Sequence, residues 1–112
     1  MDELYRQEVL ELTELLRHDE DWEDLRDVLA ENGFNLAEIL LVSFMEDDYE
    51  NEYGVIVTKD IKISEYSRFT GNLDNNAQDF KVKDITNQVD EIANYPQVPI
   101  AIDMIRSGEI LF

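Results

Sequence analysis

Apolar residues at the beginning of the chain recur at the three- and four-residue intervals of an amphipathic helix. This pattern predicts a first helix over residues 2–17, with apolar positions Tyr5, Val9, Leu12 and Leu16. It predicts a second helix over residues 20–32, with apolar positions Trp22, Leu25, Val28 and Leu29. Asp19 or Asp21 suits the N-cap of that helix, and Gly33 suits the residue just beyond its end. We therefore expect an N-terminal pair of helices.

The period then changes to the two-residue alternation that is typical of β-strands. Four segments show it, namely residues 39–45, 53–58, 61–69 and 80–85. On the first strand the predicted buried face consists of Leu40, Val42 and Phe44, and on the third it consists of Ile61, Ile63 and Phe69. Lys59-Asp60 is predicted to be a turn, and residues 71–76 have the composition of a loop. The pattern predicts an antiparallel meander of three to four strands, with one buried face and one solvated face.

Helical signals return in the last part of the chain. Residues 89–94 predict a short helix, and Pro99 suits the first position of a last helix over residues 100–107, which Gly108 closes. We expect the apolar terminus of residues 110–112 to dock onto the core. The order of elements predicts an α+β fold with the helices on one face of the sheet. A chain of 112 residues has the usual size of a single domain, so we treat residues 1–112 as one domain.

The net charge and its position along the chain restrict the class of partner more than the rest of the composition does. Twenty-seven acidic residues stand against nine basic ones, for a net charge of −18, and the first 52 residues hold −15 of it. A field of this sign repels nucleic acid and anionic membranes and attracts basic proteins. Because 44% of the residues are hydrophobic, the chain has enough apolar side chains for a core despite its charge. The partner class that fits best is therefore a basic protein.

Several classes of protein are excluded or disfavoured by simpler features. The chain has no cysteine, so it forms no disulfide and has no thiolate nucleophile. The longest apolar run, residues 39–42, is too short to span a bilayer, and the N-terminal residues do not resemble a secretory signal. We therefore expect a cytoplasmic protein that does not insert into a membrane.

Two segments concentrate the acidic residues. On the second predicted helix, carboxylates at helical spacing form a stripe opposite the apolar positions: Glu20, Glu23, Asp24, Asp27 and Glu31. The predicted tip between the first two strands supplies the other candidate contact residues: Glu46, Asp47, Asp48, Tyr49, Glu50, Glu52 and Tyr53. Each segment is either a solvated surface that aids solubility or a docking surface for basic residues of a partner. In the second interpretation Tyr49 and Tyr53 are the anchors, because tyrosine is among the residues that dominate binding energy.

No sequence motif identifies a catalytic chemistry. The single histidine, His18, stands at the end of the first predicted helix, where a cationic side chain suits the helix dipole. EF-hand loops begun at Asp19 or Asp48 fail, because the glycine and glutamate that such a loop requires are missing. Direct contact with nucleic acid is disfavoured, and the basic residues of the sheet are expected to form internal salt links: Lys59, Lys62, Arg68, Lys81 and Lys83. We expect that the protein is not an enzyme and that it binds neither a metal nor a cofactor. A third option is a weak calcium-binding protein or a small enzyme that uses carboxylates.

In its small size, its lack of cysteine and its two acidic segments at residues 19–31 and 46–52, the chain resembles the immunity proteins of bacterial toxin systems, including contact-dependent inhibition. The resemblance covers general character and includes no diagnostic motif, so no individual binding residue is carried over. It implies a cytoplasmic inhibitor that binds one cognate toxin, often a nuclease with a basic active-site cleft. Small acidic phage inhibitors and DNA mimics share the same features.

Two hypotheses of different classes follow. The leading one is a non-catalytic inhibitor, monomeric or weakly dimeric, that neutralises a basic toxin through its acidic surface and contacts neither nucleic acid nor membrane. The alternative is a regulatory or adaptor domain whose acidity serves solubility and whose partner contact lies in residues 95–112. The two differ in the salt dependence of binding, since contact through an apolar patch varies little with ionic strength.

Overall fold

The computed structural model describes residues 2–71, 79–110 and 112. In chain order its elements are helix α1 (Asp2–His18), a 3₁₀ turn (Glu20–Trp22), helix α2 (Glu23–Glu31), a 3₁₀ turn (Leu36–Glu38), strands β1 (Ile39–Glu46), β2 (Asn51–Thr58), β3 (Ile63–Phe69) and β4 (Phe80–Asp84), and helices α3 (Val89–Ile92) and α4 (Gln97–Arg106). The four strands form one antiparallel sheet in the order β1-β2-β3-β4. The predicted α+β fold, with N-terminal helices, a four-stranded meander and a C-terminal helix, is confirmed.

The helix ends have the local chemistry that their sequences indicate. Asp19 caps the turn that leads into α2, since its Oδ1 accepts a hydrogen bond of 2.9 Å from the backbone N–H of Asp21. Gly33 is left-handed (φ 91°), and the N–H of Phe34 donates back to the carbonyl of Leu29 at 3.0 Å, which closes α2 as a Schellman motif. Helix α4 begins at Gln97, three residues before the predicted start, because proline is tolerated throughout a first turn whose N–H groups lack helical partners.

The prediction that all helices lie on one face of the sheet is wrong. Adjacent strand residues point to opposite faces, and Leu40 and Leu41 belong to different core clusters. The α4 face carries Leu40, Val55, Val57 and Ile63 and packs against Val98, Ala101 and Met104. The α2 face carries Ile39, Leu41, Ile56 and Tyr66 and packs against Leu16, Leu25 and Leu29. The sheet is therefore a middle layer with a helical layer on each side.

A β-bulge in β1 explains why Phe44 was assigned to the wrong face. Leu41 pairs with Ile56 and Ser43 with Val55, so Val42 is an extra residue between two consecutive partners. The inserted residue shifts the alternation by one position. As a result Val42 packs in the cluster of the α4 face, whereas Phe44 packs against the cluster of the α2 face.

Helix α1 covers the outer edge of β1. The hydroxyl Oγ1 of Thr13 accepts a hydrogen bond of 3.1 Å from the N–H of Leu41, and Nη2 of Arg17 donates one of 3.2 Å to the carbonyl of Ile39. Val9 of the same helix joins the α4-face cluster and Leu16 the α2-face cluster. Side chains of α1 thus satisfy backbone groups that an open edge strand would offer to another chain.

The remaining local predictions have mixed outcomes. Ile61 does not share a face with β3, because it precedes the strand in a left-handed turn conformation (φ 62°). The predicted loop over residues 71–76 lies outside the described residues except for Gly71, and so does Leu111. Ile110 packs against the α4-face cluster, whereas Phe112 is exposed.

Candidate partner-binding surface

The outer face of α2 and of its leading turn is a continuous acidic surface. We call it the acidic helix face, and all five of its carboxylates are exposed: Glu20, Glu23, Asp24, Asp27 and Glu31. The opposite face is buried in the core through Leu25, Val28 and Leu29. The only basic residue of α2, Arg26, turns away and donates to the carbonyls of Leu16 (2.9 Å) and Asp19 (2.7 Å). The helix therefore presents negative charge outward and uses its one cation internally.

Within the described part of the chain, none of these five carboxylates has a Lys or Arg nitrogen within 4.0 Å. Three of their pairs stand at i,i+4 spacing, where like charges cost about 0.2–0.5 kcal/mol per pair. Glu23 and Asp24 lie in the first turn of α2, where the helix dipole offsets part of that cost. The acidic helix face is consequently a surface whose repulsion a cationic partner would relieve.

The tip of the β1–β2 hairpin is organised by Asp47. Its Oδ1 accepts hydrogen bonds from the backbone N–H groups of Tyr49 (2.8 Å) and Asn51 (3.0 Å), and its Oδ2 accepts from the Tyr53 hydroxyl at 3.2 Å. These bonds, with the Asn51 backbone N–H first among them, hold the pKa of Asp47 below its ordinary value. The sequence predicts Asp47 as a contact residue, whereas in the structure its carboxylate stabilises the conformation of the tip through these hydrogen bonds.

The other residues of the tip face solvent. Glu46, Asp48 and Glu50 are exposed, and Glu50 adopts a left-handed conformation (φ 64°) that completes the reversal of the chain. Tyr49 is 79% exposed and Tyr53 is 44% exposed. We call Glu46, Asp47, Asp48, Tyr49 and Glu50 the hairpin tip. It combines negative charge with an uncovered aromatic ring, as the sequence predicts.

Glu52 does not belong to a contact surface, although it stands in the same acidic run. It is only 4% exposed, and its carboxylate accepts hydrogen bonds from the hydroxyl of Tyr66 (2.8 Å) and from Nε (2.9 Å) and Nη2 (3.1 Å) of Arg68. Burial, reinforced by the charge of Glu52, raises the pKa of Tyr66 far above its ordinary value, so the phenol remains a donor. We remove Glu52 from the candidate contact residues, because its charge is consumed inside the fold.

The structure places the acidic helix face and Glu46 on one side of the sheet, whereas Tyr53 lies on the other side and reaches the hairpin tip through its hydroxyl bond to Asp47. The rings of Trp22 and Phe44 pack with centroids 4.6 Å apart, which sets the start of α2 beside the hairpin end of β1. Glu46 follows Phe44 by two residues and therefore points to the same side of the sheet. Tyr53 pairs with Met45 and points to the opposite side. The acidic surface thus lies on the α2 side and reaches the hairpin tip at its end.

A feature that the sequence did not reveal lies on the other side. The half of the α4 face nearest the hairpin tip is not covered by helices and forms a groove of about 420 Å³. Its lining includes Met45, Tyr53, Glu65, Lys81, Lys83 and Tyr95. Of the five basic residues expected to form internal salt links, Lys59 pairs with Glu38 (3.1 Å), Arg68 with Glu52 (2.9 Å) and Lys81, more loosely, with Asp79 (3.9 Å). Lys62 and Lys83 have no carboxylate within 4.0 Å among the described residues, so the prediction is wrong for these two.

Other candidate chemistry finds no centre in the described residues. No group of three or more His, Asp or Glu side chains there is arranged to hold a metal ion. No helix among those residues is long and apolar enough to cross a membrane. His18 is exposed at the end of α1, and its Nε2 lies 3.8 Å from Glu14. It occupies the helix-end position that the sequence predicted for it.

Comparisons with protein-family models, with curated proteins and with solved structures find no match for this chain. The choice of a function therefore depends on the surfaces described above. Two of them are distinctive, namely the acidic surface on the α2 side and the groove on the α4 side, and they face in different directions.

The charge itself leads to a first prediction. Adding NaCl from about 10 mM to about 0.5 M shortens the screening length from roughly 30 Å to below about 8 Å. Repulsion within a protein of net charge −18 falls accordingly, and we expect the unfolding temperature at pH 7 to rise by about 4–8 °C. The same titration near pH 4.1, the isoelectric point, is the control and is expected to give little change. An equal rise at both pH values would attribute the effect to general salting-out.

Proposed function

We propose that this protein is a non-catalytic inhibitor that binds a basic protein partner through the acidic helix face and the hairpin tip. The observation that carries the proposal is the set of exposed carboxylates on α2, which lack a cationic partner among the described residues. A helix selected for stability alone would alternate its charges, because i,i+4 pairs of opposite sign stabilise a helix. The uniform sign is better explained by a partner that supplies the cations.

The spacing of the acids supports a cationic cleft as the target. Asp24, Asp27 and Glu31 follow one another by three and four residues, which places successive carboxylates about 4.5 Å and about 6 Å apart along the helix axis. This is close to the spacing of successive phosphates on one nucleic-acid strand, whose backbone basic clefts bind through Lys and Arg. An inhibitor with this pattern would occupy a nuclease cleft in place of the substrate. The toxin class that we favour is therefore a nuclease, and a toxin acting inside the cell calls for a cytoplasmic inhibitor.

The hairpin tip supplies an exposed aromatic residue, which the acidic helix face lacks. Charged residues at a rim mainly accelerate association and choose the partner, whereas buried aromatic residues hold the complex together. Tyr49 is the most exposed of the aromatic residues at this end of the molecule and stands beside Asp48 and Glu50. Because Asp47 fixes the tip through its hydrogen bonds, Tyr49 is presented with little ordering cost on binding. We assign Tyr49 the role of anchor and the acids that of steering.

The test begins with recovery of the partner and ends with kinetics. The tagged protein is incubated with lysate of its source organism at low salt, and bound proteins are eluted with a salt gradient. We expect one basic protein that elutes as the salt concentration rises and that loses its own activity when bound. A partner that remains bound through high salt would favour the adaptor alternative, in which the contact is apolar and lies in residues 95–112.

Neutralising carboxylates of the acidic surface is the second prediction. The triple variant Asp24→Asn, Asp27→Asn and Asp48→Asn should associate with that partner about tenfold more slowly at low salt and with a shallower salt dependence. The matched control, Glu3→Gln, Asp60→Asn and Asp90→Asn, removes three exposed carboxylates elsewhere on the described surface. Stopped-flow association rates separate local steering from net charge. Equal slowing in both variants would contradict the assignment of the acidic surface as the interface.

A further inference from the structure

The groove on the α4 face has the dimensions of a small-molecule site. Its volume is about 420 Å³, within the range of roughly 300–1,000 Å³ that is typical of such sites. Helix α4 and the core cluster cover the half of this face that carries Leu40, Val57 and Ile63. The other half, where Met45 pairs with Tyr53, keeps apolar side chains uncovered: Met45 is 62% exposed. These uncovered apolar side chains do not increase the solubility of the protein.

The walls of the groove are apolar and aromatic, and two lysines stand on one side. Met45 contributes the exposed apolar part, Val55 lines the groove with only 1% of its surface exposed, and the rings of Tyr53 and Tyr95 flank it. Lys81 and Lys83 alternate with Val82 on β4 and point to the same face, with their Cα atoms roughly 6–7 Å apart. The arrangement combines an apolar bed for a ligand body with two cations for an anionic group.

Among the described residues, few carboxylates compete with a ligand for these cations. No carboxylate of the described residues lies within 4.0 Å of the ammonium group of Lys83, and that of Lys81 has only Asp79 at 3.9 Å. Most of the other basic residues are engaged more closely, as Arg68 is by Glu52 at 2.9 Å. Lys62 and Arg106 also have no carboxylate within 4.0 Å among the described residues, so what distinguishes Lys81 and Lys83 is that both line one groove.

One carboxylate lines the groove, and it is already engaged. Glu65 lies opposite Lys83 in the register of β3 and β4, and it accepts a hydrogen bond from the hydroxyl of Tyr95. Burial, together with that bond to Glu65, raises the pKa of Tyr95 to about 12, so its hydroxyl remains a donor at neutral pH. Among the lining residues two positive charges stand against one negative charge, whereas the protein as a whole is strongly negative. Just outside the lining, Asp79 lies 3.9 Å from Lys81 and Asp47 accepts a hydrogen bond from the Tyr53 hydroxyl.

Edge protection is the simpler explanation of the lysines, because charged side chains on an edge strand discourage pairing with another chain. That explanation accounts for Lys81 and Lys83, but it does not account for the groove beside them. It leaves the uncovered Met45 and the flanking tyrosines without a reason. A ligand that uses both parts accounts for the whole arrangement.

We propose that this groove binds a small organic anion, with an aromatic or aliphatic body on Met45, Val55 and the two tyrosines and a carboxylate or sulfonate group at Lys81 and Lys83. This site is independent of the proposed inhibitor function, since it lies on the opposite side of the sheet from the acidic helix face. A basic partner protein does not suit the groove, because its lysines would repel the partner. Charge complementarity thus selects the anion as the occupant.

The test uses 8-anilinonaphthalene-1-sulfonate, an aromatic sulfonate whose fluorescence rises on binding. We expect saturable binding at one site per chain, and much weaker binding of the uncharged analogue N-phenyl-1-naphthylamine. The variant Lys81→Gln with Lys83→Gln should weaken sulfonate binding about tenfold, since a charge-assisted hydrogen bond is about twice as strong as a neutral one. The matched control Lys59→Gln with Lys62→Gln changes the net charge equally and should leave affinity within about twofold.

Two more variants place the site. Met45→Glu adds a negative charge to an exposed position of the groove and is expected to abolish sulfonate binding without affecting folding. Ser67→Trp fills the groove from β3 and should do the same, with circular dichroism verifying the fold. The proposal is overturned if both lysine pairs weaken binding equally, if the uncharged analogue binds as tightly as the sulfonate, or if Met45→Glu leaves affinity unchanged.

Discussion

Replacing Gly54 by alanine is expected to lower the free energy of unfolding by about 2–3 kcal/mol. Gly54 pairs with Tyr66 across β2 and β3, and the Tyr66 ring lies over it. A Cβ at position 54 would come within 2.6 Å of Cζ and 2.8 Å of the hydroxyl oxygen of Tyr66, and closer still to Cε1. The ring has little room to move, because its hydroxyl bonds to Glu52 and its face stacks on Phe80 with centroids 5.6 Å apart.

The sign of this effect makes the experiment decisive. Gly54 has no left-handed backbone to preserve, so its replacement by alanine would ordinarily stabilise the protein by about 0.4–1 kcal/mol through the unfolded chain. Urea unfolding followed by the fluorescence of the single tryptophan, Trp22, measures the change. In a Tyr66→Leu background, where the ring is gone, the cost of Gly54→Ala should fall below about 0.5 kcal/mol. An unchanged cost in that background would show that the ring is not the cause.

Much of the fold is predictable because its determinants are local. The caps Asp19 and Gly33 and the apolar positions of α1 and α2 act within one or two helical turns, and the structure confirms them. The strands are predictable for the same reason, because the alternation of their side chains between two faces shows in short stretches of sequence. The start of α4 differs by three residues, which is a local ambiguity between two prolines, Pro96 at the N-cap and Pro99 in the first turn, that both suit the start of a helix.

The covering of the sheet on both faces has a signal in β1, but which helix covers which face was not predictable, because it depends on contacts between elements that are distant in the chain. Alternation assigns Leu40 and Leu41 to opposite faces, and both residues are apolar, which is the signature of a strand buried on both sides. The bulge at Val42 has no sequence signal in this chain, yet it determines that Phe44 meets Trp22. That contact in turn sets α2 beside the hairpin, so the shape of the acidic surface depends on a single inserted residue.

The candidate partner-binding surface also has a part that could be predicted from the sequence and a part that could not. The acidic helix face follows from helical spacing alone, and the structure places all five of its residues on the exposed side. Glu52 was assigned to an exposed tip because it belongs to a run of charge. Its true partner, Arg68, is 16 residues away, and the pairing depends on the register of β2 with β3. The groove was missed for the same reason, since β1, β2, β3 and β4 all contribute to its lining.

Replacing Arg68 by methionine is expected to lower the free energy of unfolding by about 3–5 kcal/mol, because it leaves the charge of Glu52 buried and unpaired. The two groups are joined by hydrogen bonds of 2.9 and 3.1 Å, and Glu52 is almost fully enclosed. Methionine has a similar length and is apolar, so lost packing contributes little. Glu52 of this pair also holds the Tyr66 hydroxyl over Gly54. The pair therefore helps to hold β2 against β3.

Two further variants separate the buried charge from other causes. Adding Glu52→Gln to Arg68→Met removes the unpaired charge and keeps an acceptor for Tyr66, so the double variant should recover all but about 1 kcal/mol of the loss. Lys59→Met breaks the half-exposed pair of Lys59 with Glu38, at 3.1 Å, and should cost less than about 1 kcal/mol. If the double variant were no more stable than Arg68→Met alone, the loss would come from packing. Because Glu52 is the second residue of β2 and only Asn51 separates it from the hairpin tip, the Arg68→Met variant should also weaken partner binding more than its folded fraction explains.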